Sequence, residues 1–278
     1  MVRIVSDTST LYSSKQAREA GFAVSPLSVT INGSTYREFD EISSEDFVAI
    51  IRQGHLPVSS QPAVGEVVDV YESCGEDEVL NIAMAAGLSG TYDSAVAAAG
   101  IAANSEKITV INSRTLCGPH RYLVEKALEW AKAGESLKEI CRKVNERMDT
   151  GKSFLMPADF EYLRRGGRLS PLVSYVGQVV NLTPVMTQTE DGRRLTIAGV
   201  RRGFGQGVKF VCKALEKHGV GKGWRVYISH AGVLGEAEKA LKELVKAFPE
   251  AVCEILPLSP AFITQGGPGC MAIQVIRE

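Results

Sequence analysis

Short apolar runs alternate with amphipathic segments along most of the chain. Residues 2–5, 79–84 and 107–111 are apolar runs of strand length, rich in β-branched side chains. The segments between them carry apolar residues at helical spacing, three or four positions apart. This alternation is typical of an α/β fold, in which helices cover a parallel or mixed sheet.

Capping residues mark the starts of two predicted helices. Ser43 or Ser44 precedes an apolar helical face that ends at Gly54, and a serine hydroxyl satisfies free N–H groups in the first turn. Ser136, with Glu139 three residues later, forms the pattern of a capping box. Both segments are therefore predicted to be surface helices with one buried face.

Two dipeptides predict hairpin turns. Asn32-Gly33 closes an extended region over residues 22–31, and Asp191-Gly192 lies between two apolar runs. Such pairs favour the positive backbone angles that tight hairpins need. Antiparallel pairing is therefore expected in the second half of the chain.

We place a domain boundary after residue 150. Residues 1–150 are expected to form an N-terminal α/β domain with a parallel or mixed sheet and flanking helices. Residues 151–278 are expected to form a C-terminal α/β domain with a mixed or antiparallel sheet and helices. Residues 164–168 are interpreted as a basic turn, and residues 257–269 as a loop rich in proline and glycine.

Composition narrows the classes of function. The chain has 278 residues and a formal net charge of -1, so no global positive field is available to bind nucleic acid. Its six cysteines form no C-x-x-C pair, which argues against a metal site and favours buried thiols in a reducing compartment. No apolar run approaches the roughly 20 residues of a membrane span. We expect a soluble, cytoplasmic protein without integral membrane association, metal or cofactor.

Hydroxyl side chains flank two candidate anion sites. Ser59 and Ser60 precede Pro62 and a predicted helix; they either cap that helix or donate to an anionic ligand. Ser89 and Gly90 lie between a strand end and a helix start, where free N–H groups and the helix dipole favour an anion. The alternative there is an ordinary capped turn.

A serine hydrolase is not supported at this turn. A nucleophile elbow requires G-x-S-x-G, and Thr91 occupies the position of the last glycine.

Two further segments contain donors beside glycines. Arg168 belongs to a run of three arginines around two glycines, which can present guanidinium groups to carboxylate or phosphate. Thr264 and Gln265 precede a glycine-rich stretch that lacks the P-loop pattern. The alternatives are a solvated basic loop and a plain turn.

These segments together resemble the DegV family of bacterial fatty-acid-binding proteins, and the resemblance covers essentially the whole chain. The matching stretches are Ser6-Asp7-Thr8-Ser9, Ser59-Ser60-Gln61-Pro62, Gly87-Leu88-Ser89-Gly90-Thr91-Tyr92-Asp93-Ser94-Ala95, Glu161-Tyr162-Leu163-Arg164-Arg165-Gly166-Gly167-Arg168-Leu169-Ser170 and Gly267-Pro268-Gly269.

The resemblance implies that a long-chain fatty acid is buried between or within two domains. It implies that Ser59 and Ser89 hold the carboxylate, with Arg168 in the head-group region. It further implies a protein that is not itself an enzyme and that can present the fatty acid to a separate kinase. Ser60, Gly90, Thr264 and Gln265 complete the candidate ligand-binding set.

Two departures from the family pattern bear on this function. Ser59 replaces the usual threonine and keeps a hydroxyl. Gln265 replaces the usual histidine, and an amide can hydrogen-bond but cannot carry charge or a proton. Carboxylate binding is therefore expected to survive these changes better than coupling to a kinase does. The alternatives are an enzyme acting on a small carboxylate or phosphorylated substrate, and a regulatory protein whose basic face binds a partner.

Overall fold

The computed structural model describes residues 1–171, 173 and 182–278. The strands are β1 (Val2–Asp7), β2 (Ala23–Ser25), β3 (Ser28–Ile31), β4 (Ser34–Arg37), β5 (Val58–Ser60), β6 (Glu78–Ala83), β7 (Ile108–Asn112), β8 (Lys152–Met156), β9 (Thr183–Gln188), β10 (Leu195–Arg201), β11 (Trp224–His230), β12 (Val252–Pro257) and β13 (Met271–Arg277).

The α-helices lie between these strands. They are α1 (Ser14–Ala20), α2 (Ser44–Arg52), α3 (Val64–Glu72), α4 (Thr91–Ile101), α5 (Cys117–Lys132), α6 (Leu137–Met148), α7 (Phe160–Gly166), α8 (Gly203–Lys217), α9 (Leu234–Ala247) and α10 (Pro260–Gly266).

The first half of the chain contains a parallel sheet with the strand order β2-β1-β6-β7. A smaller antiparallel sheet, in the order β4-β3-β5, lies beside it. The turn predicted at Asn32-Gly33 joins β3 to β4, and both residues have positive φ angles, of 50° and 75°. The predicted serine caps are present, because Ser43 accepts from the N–H of Asp46 and Ser136 from that of Glu139. The Glu139 carboxylate accepts from Arg142 instead of completing the capping box.

The second half contains one larger sheet with the strand order β10-β9-β8-β13-β11-β12. Its pairs are antiparallel except for β11 and β12. The hairpin predicted at Asp191-Gly192 joins β9 to β10. The structure therefore confirms an α/β fold with a parallel N-terminal sheet and a mixed C-terminal sheet.

The largest core cluster contains side chains from both halves of the chain. Leu80 and Ile82 come from the first half, while Tyr227, Leu256 and Ile263 come from the second. Helix α5 lies between the halves and contacts β1, β11 and β13. The domain boundary at residue 150 stays a prediction, because one core cluster contains side chains from both sides of it.

One glycine allows this close packing of helix α5. A Cβ atom at Gly118 would lie 2.1 Å from Cγ of Tyr227, so only glycine lets the helix approach β11 this closely.

Two segments interpreted as turns are helical in part. Residues 164–166 complete α7, whose N-cap Asp159 accepts from the N–H of Glu161. The predicted loop at 257–269 contains α10, which starts at Pro260. Each helix has only seven residues, too few for an apolar periodicity to show in the sequence.

The alternative role of Ser59 and Ser60 as helix caps is wrong. Both residues lie in strand β5, and helix α3 begins after Ala63 without a hydrogen bond from a capping side chain.

Candidate functional site

A cavity lies between the two large sheets. The loops at the carboxyl ends of β2, β6 and β7 contribute one wall, with Leu27, Met84 and Leu116. This edge of a parallel sheet is the usual place for a ligand. Leu155 and Ala272 of the C-terminal sheet contribute the opposite wall.

Most side chains that line the cavity are apolar. It encloses about 950 Å³ of atom-free space with its open mouth included. Cys117 and Cys270 also line it. Burial raises the pKa of the Cys270 thiol to about 12, so this cysteine stays protonated and contributes a neutral surface.

Three polar residues lie where this cavity meets a second one. Ser59, Arg168 and Gln265 line both cavities. Nε2 of Gln265 donates to Oγ of Ser59 at 3.0 Å. The second cavity opens past the exposed side chains of Leu56 and Val58. The three polar residues therefore lie at the outer end of the apolar cavity.

Arg168 is a half-buried cation at this end. Its Nε donates to the carbonyl of Leu88 at 3.1 Å, and its Nη1 donates to the carbonyl of Gly166. Burial and the neighbouring Arg194 lower the pKa of Arg168. Among the described residues no carboxylate pairs with it. An anion at this point would thus meet an unneutralised guanidinium.

Ser89 also lines the apolar cavity. Its Oγ lies 2.8 Å from Oγ1 of Thr91 and accepts from the N–H of Thr91 at 3.3 Å. The hydroxyl therefore lies at the start of helix α4, where the helix dipole favours negative charge.

The remaining candidate residues lie outside the apolar cavity. Ser60 is exposed and follows Ser59 along β5, so its side chain points to the other face of the strand. Gly90 is the N-cap of α4. The side chain of Gln61 packs against it, because a Cβ atom at Gly90 would lie 2.2 Å from Oε1 of Gln61. Thr264 lines the second cavity and donates to the carbonyl of Pro260.

Four polar residues of the cavity were not among the sequence candidates, namely Ser153, Thr187, Gln188 and Gln274. Gln274 and Ser153 face it from the neighbouring strands β13 and β8. The sequence contained one signal for them, because Gln274 interrupts the otherwise apolar run at 271–276.

The histidines do not lie at this site. His120 is fully buried, with Nδ1 2.7 Å from Oγ of Ser9 and Nε2 2.8 Å from the carbonyl of Ile82. Nδ1 of His230 accepts from the N–H of Val233. In the parts of the chain that the structure describes, neither histidine is a base for Ser89.

The described ranges contain no group of acidic, histidine or cysteine side chains able to hold a metal ion. No helix there is long and apolar enough to cross a membrane.

Known proteins resemble this chain over its full length. The family model described as "Uncharacterised protein, DegV family" matches residues 1–278. The DegV domain-containing protein YejH of Lactococcus lactis is 32% identical over 286 aligned positions, which cover 100% of this chain and 99% of that protein.

Two solved structures share the fold closely. A DegV family protein from Thermus thermophilus, described as binding fatty acid, has a TM-score of 0.89 at 25% identity, covering 100% of this chain and 99% of that one. DegV from Bacillus subtilis, described as a fatty acid binding protein, has a TM-score of 0.87 at 26% identity with the same coverage.

Proposed function

We propose that this chain, which belongs to the DegV family, binds a long-chain fatty acid in the cavity between its two large sheets. The observation that carries the proposal is the half-buried Arg168 at one end of an apolar cavity, with no acidic partner among the described residues. An apolar wall and a single cationic end fit an acyl chain with one carboxylate. The Thermus and Bacillus relatives, described as binding fatty acid, support the same class of ligand.

The acyl chain would supply most of the affinity. Each buried methylene contributes about 0.8 kcal/mol, so a long chain can offset the loss of freedom on binding. Leu155, Met186 and Leu195 offer this chain apolar side chains to pack against.

The carboxylate would lie among the donors at the outer end of the cavity. A buried carboxylate is costly unless several donors satisfy it. Arg168 supplies charge, and the hydroxyls of Ser59 and Ser89 supply neutral donors. Gln265 holds Ser59 through its amide nitrogen, so it acts on the head group through that hydroxyl.

Neighbouring serines of β5 provide a matched test. In a titration of lipid-free protein with hexadecanoic acid, Ser59→Ala should weaken binding by about tenfold, because a buried charge loses one donor. Ser60→Ala should leave the affinity unchanged, since its side chain is exposed on the other face. Equal affinities for the two variants would refute the proposed head-group position.

We propose that the protein does no covalent chemistry alone. The Ser89 hydroxyl contacts Thr91, and the described residues supply no base beside it. A reaction on the carboxylate would then need a second protein.

A kinase that phosphorylates the bound carboxylate is the partner we propose, and the basic residues at the mouth favour it. Arg165 lines the second cavity and is exposed, although Glu161 pairs with it at 2.9 Å. Arg165→Glu should abolish phosphorylation of the fatty acid by the kinase without lowering the fatty acid content. Phosphorylation that persists at the wild-type rate would refute this contact.

A further inference from the structure

A second polar position lies in the cavity, away from the head-group residues. Gln274 of β13 lines the cavity and is 1% exposed. Its cross-strand partner on β8 is Ser153, which also lines the cavity. Two polar side chains on adjacent strands therefore interrupt a mainly apolar wall.

The hydrogen bonds of Gln274 fix the orientation of its amide. Nε2 donates to the carbonyl of Leu116 at 3.0 Å and to Oγ of Ser153 at 3.0 Å. A backbone carbonyl can only accept, so the nitrogen must face Leu116, and both of its hydrogens are used. The amide oxygen is therefore the group left for another partner.

That oxygen is a buried acceptor. Within the described part of the chain, Oε1 of Gln274 receives no hydrogen bond. Buried polar atoms in proteins nearly always have a partner, and leaving one without a partner is destabilising. The hydrogen bonds to Leu116 and Ser153 explain why a polar nitrogen is buried here. They do not explain the buried amide oxygen.

Strand β13 places the amide oxygen of Gln274 far from the end of the cavity where the carboxylate would bind. A Cβ atom at Gly266 would lie 2.5 Å from Sγ of Cys270. Because Gly266 follows Gln265 in the chain, Cys270 lies near the head-group residues. Gln274 is four residues beyond Cys270, or roughly 13 Å along an extended strand. Ala272 and Leu155 form apolar wall between the two ends. A ligand group at Gln274 would therefore lie well along the acyl chain.

We propose that the preferred ligand is a long-chain fatty acid that carries a hydroxyl group on the distal part of its chain. This inference rests on the proposed fatty acid binding and specifies the class of acyl chain. A hydroxyl can donate to Oε1 of Gln274 and can accept from the hydroxyl of Ser153. A keto group can accept from Ser153 but cannot donate, so it would leave Oε1 without a donor, as an unsubstituted chain would.

The test compares three kinds of acid on lipid-free wild-type protein. They are hexadecanoic acid, its hydroxy derivatives from mid-chain to the terminal carbon, and the matching keto derivatives. One hydroxy isomer should bind about tenfold more tightly than hexadecanoic acid, the effect of satisfying one buried acceptor. Its keto counterpart should show no such gain.

The variant Gln274→Met keeps the length of the side chain and removes the acceptor. It should bind hexadecanoic acid at least as tightly as the wild type and lose the preference for the hydroxy isomer. Binding of hexadecanoic acid also reports that the variant has folded.

The outcomes separate the two proposals. Wild-type protein that binds hexadecanoic acid but prefers no hydroxy isomer would overturn the inference, and the amide oxygen would then be satisfied by an ordered water only. A preference that persists in Gln274→Met would overturn it as well. Protein that binds none of the acids would instead refute the fatty acid site itself.

Discussion

At the scale of single residues, Glu38 is a fully buried carboxyl that connects distant parts of the chain. Oγ1 of Thr8 donates to its Oε1, and the N–H of Ala261 donates to its Oε2 at 2.8 Å. Burial is the largest influence and raises the pKa of Glu38 from 4.5 to about 7. The folded protein therefore holds a proton there at pH values where the unfolded chain has released it.

The pKa of Glu38 predicts a dependence of stability on pH. Between pH 4.5 and 7 the folded state binds more protons at this group than the unfolded state, so the free energy of unfolding falls as pH rises. The contribution is complete below the unfolded pKa and is lost through about pH 7, with a total on the order of 3 kcal/mol. Glu38→Gln should remove this contribution, because an amide can accept from Ala261 and donate to Thr8.

Denaturant unfolding of both proteins across this pH range measures the difference. The stability of the wild type should decline relative to Glu38→Gln as pH rises. Parallel curves would show that Glu38 does not titrate as its burial indicates.

Donor chemistry allowed some of the candidate site to be predicted from the sequence. Ser59, Ser89, Arg168 and Gln265 were singled out as donors beside turns, and the structure brings all four to one cavity. Their contact with a ligand stays a prediction. The exposure of Ser60 and the inward direction of Gln274 depend on strand register, and a shift of one residue reverses the face of a side chain.

At the scale of elements, the long periodic segments were predictable and the short helices were not. Helix α5 has sixteen residues, enough for its apolar face to appear in the sequence. Helix α10 has seven, and its glycine-rich flank indicated a loop. Because α10 carries Gln265 toward Ser59, this error concerned an element that positions the site.

Backbone contacts between distant elements could not be predicted from the sequence either. A Cβ at Gly87 would lie 2.4 Å from Cα of Arg193, so the turn that carries Ser89 packs directly on the hairpin between β9 and β10. Glycine is required there by a contact between residues more than a hundred positions apart, which no local pattern can indicate.

At the scale of the whole molecule, the site depends on both halves of the chain. The cavity takes Leu27 and Met84 from the first half and Leu155 and Met186 from the second. The alternation of apolar runs and amphipathic segments correctly predicted an α/β fold. It could not predict this cavity, because the packing of one sheet edge against the other sheet creates it. Ligand binding should therefore stabilise the two halves together.

Fatty acid binding can be checked by native mass spectrometry of the protein as purified, with identification of any molecule released on denaturation. We expect one fatty acid per chain, and the position of a hydroxyl group on it would report on Gln274. Protein that is purified without lipid, and whose melting temperature does not rise with any added fatty acid, would refute fatty acid binding.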